Sequence, residues 1–114
     1  MEQLNRIEIR GYVGSVRTTN IEGKAMTRFS VATSCAYKSN DGSVMIETTW
    51  HNVVAWESDT TKECLDIQKG DTVFVCGRIK TSNYTCSDGM TRTSTEVVAN
   101  EVKKVNETLT TELR

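Results

Sequence analysis

The feature that most constrains this chain is a period of two. Apolar and polar residues alternate in short runs along most of its length, and successive side chains of a strand point to opposite faces, so each run can bury one face and wet the other. Ile7, Ile9 and Val13 alternate with Glu8, Arg10 and Tyr12 in the first run. Phe29, Val31 and Thr33 alternate with Arg28, Ser30 and Ala32 in the second. A third run extends from about Val44 to Trp56, a fourth contains Val73, Val75 and Ile79, and a fifth spans about Thr91 to Val102. Turn chemistry separates them at Ser39-Asn40-Asp41-Gly42, Lys69-Gly70-Asp71 and Ser87-Asp88-Gly89. Gly11 and Gly14 interrupt the first run as bulge or close-approach glycines do, and the fourth run contains Gly77. One short capped helix is expected where Ser58-Asp59-Thr60-Thr61 precedes Glu63, Leu65 and Ile67. The predicted order is β-β-β-α-β-β.

With 114 residues, no proline, no Gly/Ser-rich linker and no internal repeat, nothing marks a boundary inside the chain. One domain is expected over residues 1–105, followed by a short polar extension over 106–114. No segment approaches the roughly 20 apolar residues of a spanning helix, and the first residues lack an apolar run. No membrane association and a cytoplasmic location are therefore expected. Cys35, Cys64, Cys76 and Cys86 are 29, 12 and 10 positions apart with no Cys-x-x-Cys pair. Neither a metal site nor any cofactor is expected, and the thiols are read as structural or incidental.

Five bent strands with one helix between the third and fourth suggest an all-β, five-stranded Greek-key barrel, the OB-fold, whose second and third strands border a groove for oligonucleotides or oligosaccharides. Fold alone does not select a ligand. The aromatic residues do more. Trp50 and Trp56 fall on the third strand, Tyr37 ends the second, and Tyr84 lies near the tip between the fourth and fifth. Single aromatics spaced among basic residues suit a surface on which bases stack while cations follow phosphates. With 14 basic against 15 acidic residues, bulk positive charge cannot be the source of binding, so any phosphate attraction is local. Arg6, Arg17, Arg28, Lys38, Lys69, Arg78, Lys80 and Arg92 are the candidate phosphate contacts.

The motifs Asn5-Arg6-Ile7, Gly11-Tyr12-Val13-Gly14, Phe29-Ser30-Val31-Ala32-Thr33-Ser34, Thr48-Thr49-Trp50-His51-Asn52-Val53-Val54, Val75-Cys76-Gly77-Arg78-Ile79 and Thr93-Ser94-Thr95-Glu96-Val97-Val98-Ala99 occur in this order. Over about residues 5–102 the chain resembles the bacterial single-stranded DNA-binding proteins. That resemblance implies sequence-nonspecific binding of single-stranded DNA in replication, repair and recombination. It also implies a nucleoid-associated location and self-assembly as a homotetramer, with a dimer as the alternative. It selects Tyr37, Trp50, Trp56 and Tyr84 as stacking residues, the same four, and places His51 toward a subunit interface. The polar residues 106–114 lack the acidic tip through which family members recruit replication partners, so such recruitment is not expected.

Competing readings remain beside these. Trp50 as a core tryptophan, the tyrosines as strand-end packing residues and the basic residues as a solvated face are the structural alternatives. A dimeric primosomal replication-restart protein, an OB-fold nuclease and a protein- or oligosaccharide-binding barrel are the functional ones. No catalytic constellation accompanies the single histidine, and no enzymatic activity is expected.

Overall fold

The computed structural model describes residues 1–105 and 107–113. Five long strands, β1 (Ile7–Ile21), β2 (Lys24–Lys38), β3 (Val44–Trp56), β4 (Thr72–Thr85) and β5 (Thr91–Val105), form one sheet in the order β1-β4-β5-β3-β2, and β1 also pairs with β2. The sheet thus closes on itself. A two-residue strand, β6 (Glu112–Leu113), lies parallel to β2 at Cys35 and Ala36.

Closure depends on β1 serving two neighbours. Its first half, Ile7 to Tyr12, pairs with β4, and its second half, Tyr12 to Ile21, pairs with β2. At the changeover the backbones come so close that a Cβ on Gly11 would lie 2.8 Å from a Val31 methyl carbon and collide with the Ala32 carbonyl. Only a residue without a side chain fits there. Just beyond, a bulge sets Gly14 and Ser15 against the single residue Ser30 and bends β1 around the barrel.

The alternation predicted from the sequence fills the barrel. Ile9, Val13, Phe29, Val31, Val53, Ala55, Val73, Val75, Val97, Ala99 and Val102 are buried, and Cys64 and Ile67 plug one end. Each valine, isoleucine or phenylalanine fully buried here contributes about 1.5–3 kcal/mol. The segment that carries the plug is not the capped helix expected from its sequence but one 3₁₀ turn, Lys62–Leu65. Thr61 makes no capping bond, because its hydroxyl donates to the Trp56 carbonyl, and too few residues remain to repay helix nucleation.

Strands β3 and β5 pair only from Val53↔Val97 to Ala55↔Ala99. Earlier along both chains the two separate, so the β2–β3 and β4–β5 ribbons splay into arms. The residues that follow β5 return to the barrel. The Leu109 amide donates to the Tyr12 hydroxyl at 2.9 Å, which places β6 on the length of β2 that β1 has left uncovered.

Candidate nucleic-acid interface

Cross-strand pairs share a face, so the register states which side chains stand together. Trp50 is opposite Ala32, Asn52 opposite Ser30, Val54 opposite Arg28, and Trp56 opposite Met26. These pairs form the outer face of the β2–β3 ribbon, because the intervening positions Val53 and Ala55 point into the core. Both indoles are exposed, Trp50 by 58% and Trp56 by 42%, which excludes a core role for either. Trp50 has a built seat. Its ring reaches across Ala32 to Gly14, where a Cβ would lie 2.9 Å from the ring carbon Cη2 and closer still to Cζ3. Gly14, Ala32 and Ser30 leave a trough in which the indole lies with one side open to solvent.

Arg28 stands between the two tryptophans along this face. Arg17 of β1 is directly opposite Arg28, and Glu96 of β5 is directly opposite Lys80 of β4. Arg28 and Glu96 form an ion pair over β3. Beneath them is a cleft of about 480 Å³, with Val16, Phe29 and Val53 at its floor and Ser15, Ser30, Asn52 and Ser94 around it. Tyr84 pairs with Arg92 on the outer face of the β4–β5 arm, where Arg92 also lies 3.5 Å from Asp88.

Other predicted residues lie elsewhere. The β2–β3 register runs without a shift from Met26↔Trp56 to Lys38↔Val44. Tyr37, opposite Met45, therefore belongs to the same side as His51 and Thr33, away from the two indoles. Lys38 is at the end of that arm, and Lys69 is in the turn before β4, beside Val13. Arg6 and Arg78 border a depression at the β1–β4 seam, where Arg6 is bound to Glu8 at 2.6 Å. Among the described residues Arg17, Lys38, Lys69, Arg78 and Lys80 make no ion pair.

His51 is half-buried, with Nε2 2.8 Å from the Thr33 hydroxyl, and burial holds its pKa below the ordinary histidine value. It points away from Trp50, as strand alternation requires. All four cysteines are free thiols, and no group of three or more His, Cys, Asp or Glu among the described residues is arranged to hold a metal ion. Among those residues no helix is long and apolar enough to cross a membrane. The sequence reading missed Glu96 and Gly14 as site residues. Glu96 becomes part of the face only through the parallel β3–β5 pairing, whereas Gly14 carried a signal, a glycine inside an alternating run.

A family model for the single-strand binding protein family matches residues 4–105. The chain belongs to that family. Among family relatives it is 33% identical over 102 residues to a single-stranded DNA-binding protein of Xanthomonas axonopodis pv. citri. That match covers 88% of this chain and 57% of the relative. It is 32% identical to one of Neisseria meningitidis serogroup A, with 88% and 59% covered. The chain thus spans rather less than two thirds of the length of these curated relatives. The fold matches a Plasmodium falciparum single-stranded DNA-binding protein solved with single-stranded DNA, with a TM-score of 0.80 at 22% identity, over 92% of this chain and 96% of that one.

Proposed function

We propose that the chain binds single-stranded DNA without sequence preference, by stacking unpaired bases on Trp50 and Trp56, and that it protects exposed strands during replication, repair and recombination. The observation that carries this reading is the pair of exposed indoles on one face of the β2–β3 ribbon, with the Arg28 guanidinium between them. Stacking on an aromatic contributes about 1–3 kcal/mol per base and accepts any base, because each has a π-face. Duplex DNA keeps its bases stacked on one another and leaves these rings unused. Tyr84 with Arg92 extends the surface along the β4–β5 arm. A strand reaches Tyr37 only by crossing the edge of the β2–β3 ribbon. The barrel over residues 1–105 is the binding unit. The chain acts as a binding module rather than an enzyme, and the His51 face is assigned to self-assembly, as a tetramer.

The test is a titration of intrinsic tryptophan fluorescence with oligo(dT) of increasing length at two salt concentrations. Quenching that saturates at a defined length per protomer is expected, together with a shallow salt slope, about 0.7 for each phosphate neutralised. Unquenched indoles would favour an oligosaccharide- or protein-binding barrel. Cleavage of the strand with a divalent metal present would favour a nuclease. Sedimentation of the protein alone decides between tetramer and dimer.

A further inference from the structure

On the face that carries both indoles, a single carboxylate stands among three cations. Arg17 and Arg28 are cross-strand neighbours, Lys80 is opposite Glu96, and Glu96 is paired with Arg28 across the width of β3. Without Glu96 these groups would leave only cations at this place, Arg17 on β1, Arg28 on β2 and Lys80 on β4, a local charge of one sign that attracts any polyanion. We propose that Glu96 is a selectivity residue. It offsets that charge, so that a polyanion offering no free bases is not retained and binding is left to whatever can stack.

Three observations support this reading. The first is position: Arg28 stands between Trp50 and Trp56, where the backbone of a strand stacked on both rings must pass, and Glu96 meets that same point. The second is that the carboxylate is the better sheltered partner. Its side chain is 22% exposed against 52% for Arg28, so solvent and salt screen it less and the cation is the partner free to turn outward. The third is that the fold has no evident need of the pair. Strands β2 and β5 are not neighbours, and the core below, Val53 and Val97, is complete without it. A phosphate approaching Arg28 must compete with a fixed negative charge, whereas a base approaching Trp50 or Trp56 meets no such competition. The cost therefore falls more heavily on ligands that have only phosphates to offer.

The inference rests on the single-strand reading of this face, and the experiment separates the two. Wild type and Glu96→Gln are titrated with oligo(dT), with a duplex of equal length and with heparin, each at several salt concentrations. Glu96→Gln should gain several-fold in affinity for duplex and heparin and proportionally less for oligo(dT), narrowing the preference for single strands. Its salt slope on duplex should steepen by about 0.9 per phosphate gained. If wild type binds oligo(dT) and the substitution leaves the preference and the slopes unchanged, the selectivity role is wrong while the single-strand reading stands. If wild type does not bind oligo(dT), both fail. Glu96→Ser, which matches the neighbouring Ser94 and Ser30, is the second variant. Should both variants fail to fold, Glu96 is a residue of the barrel and the proposal is overturned.

Discussion

Replacing Gly14 by alanine tests whether the seat of Trp50, and not only its ring, determines binding. The new methyl group would stand 2.9 Å from Cη2 and closer still to Cζ3, and ordinary contact begins at 3.4 Å, so that edge of the indole must retreat by 0.5 Å at Cη2 and by about 1 Å at Cζ3. The other close neighbour, the Ser30 hydroxyl at 2.7 Å, can rotate away, and Gly14 is not among the positive-φ residues, so the backbone tolerates alanine. A tilted ring opens a gap under one side of the stacked base, and a gap of about 0.5–1 Å forfeits a quarter to a half of the dispersion well. Applied to about 1–3 kcal/mol of stacking, the loss is about 0.3–1.5 kcal/mol, or roughly 2- to 13-fold in affinity. Trp50→Ala should lose the whole, roughly 5- to 150-fold, with the fold intact because the ring is exposed. The assay is fluorescence anisotropy of labelled oligo(dT) with wild type, the two single variants and the double variant, beside thermal melts. Gly14→Ala should melt at or slightly above the wild-type temperature, since alanine lowers the entropy of the unfolded chain by about 0.4–1 kcal/mol. In the Trp50→Ala background it should have no further effect on affinity. An equal loss in both backgrounds would refute the argument, because Gly14 would then act on DNA by a route other than the indole.

Three further outcomes are expected. Tyr37→Ala should cost single-strand affinity clearly less than Trp50→Ala on oligonucleotides just long enough to cover both indoles, and an equal loss would show that one groove joins the two faces of the β2–β3 ribbon. Gly11→Ala, unlike Gly14→Ala, meets backbone that cannot move aside, so it should lower stability by about 1–3 kcal/mol in denaturant unfolding; an unchanged midpoint would disprove the close approach. Burial depresses the His51 pKa in the folded state, so the folded protein binds that proton less readily than the unfolded chain. This contribution to stability is complete above the unfolded value near 6.5 and is lost as pH falls below it through the folded value. The melting temperature of wild type should therefore drop more than that of His51→Gln between pH 7 and pH 5, and parallel curves would contradict the assignment.

The strands were legible because a half-buried strand writes its two faces into alternate letters. Ile9, Val13, Phe29, Val31, Val53, Val75 and Val97 alternate in sequence and meet in the core. The short helix was harder to size, since the hydroxyls of Ser58, Thr60 and Thr61 serve equally to cap a helix or to tie a loop, and here they bond to one another and to the Trp56 and Asn100 carbonyls. Which aromatics share a face was only partly legible. Trp50 and Trp56 are six residues apart on one strand, so their common side follows from counting. The side of Tyr37 depends on the turn that joins β2 to β3. That turn is fixed by Asp41, whose carboxylate accepts bonds from the Ser43 amide at 2.9 Å and from the Ser39 and Ser43 hydroxyls, bonds that hold its pKa well below the usual carboxylate range. The Arg28–Glu96 pair left no mark in the sequence at all. Its partners lie on strands that are not adjacent, and such a pairing exists only once the sheet has closed.

That closure also sets the order in which the molecule can be assembled. The β2–β3 ribbon is a local hairpin with an unbroken register, and hairpins of this kind form in about 1–10 μs. The barrel is another matter, because Ile7 must find Gly77 and Val53 must find Val97, partners remote in the chain, and folds dominated by such pairings close in milliseconds to seconds. A chain emerging from the ribosome has the whole β2–β3 ribbon, with both tryptophans, before β5 is available, and until then that ribbon is a marginally stable hairpin on its own. During that interval the indoles are presented without Glu96, on a surface whose charge differs from that of the finished protein, and the edge of β3 that will meet β5 is still bare.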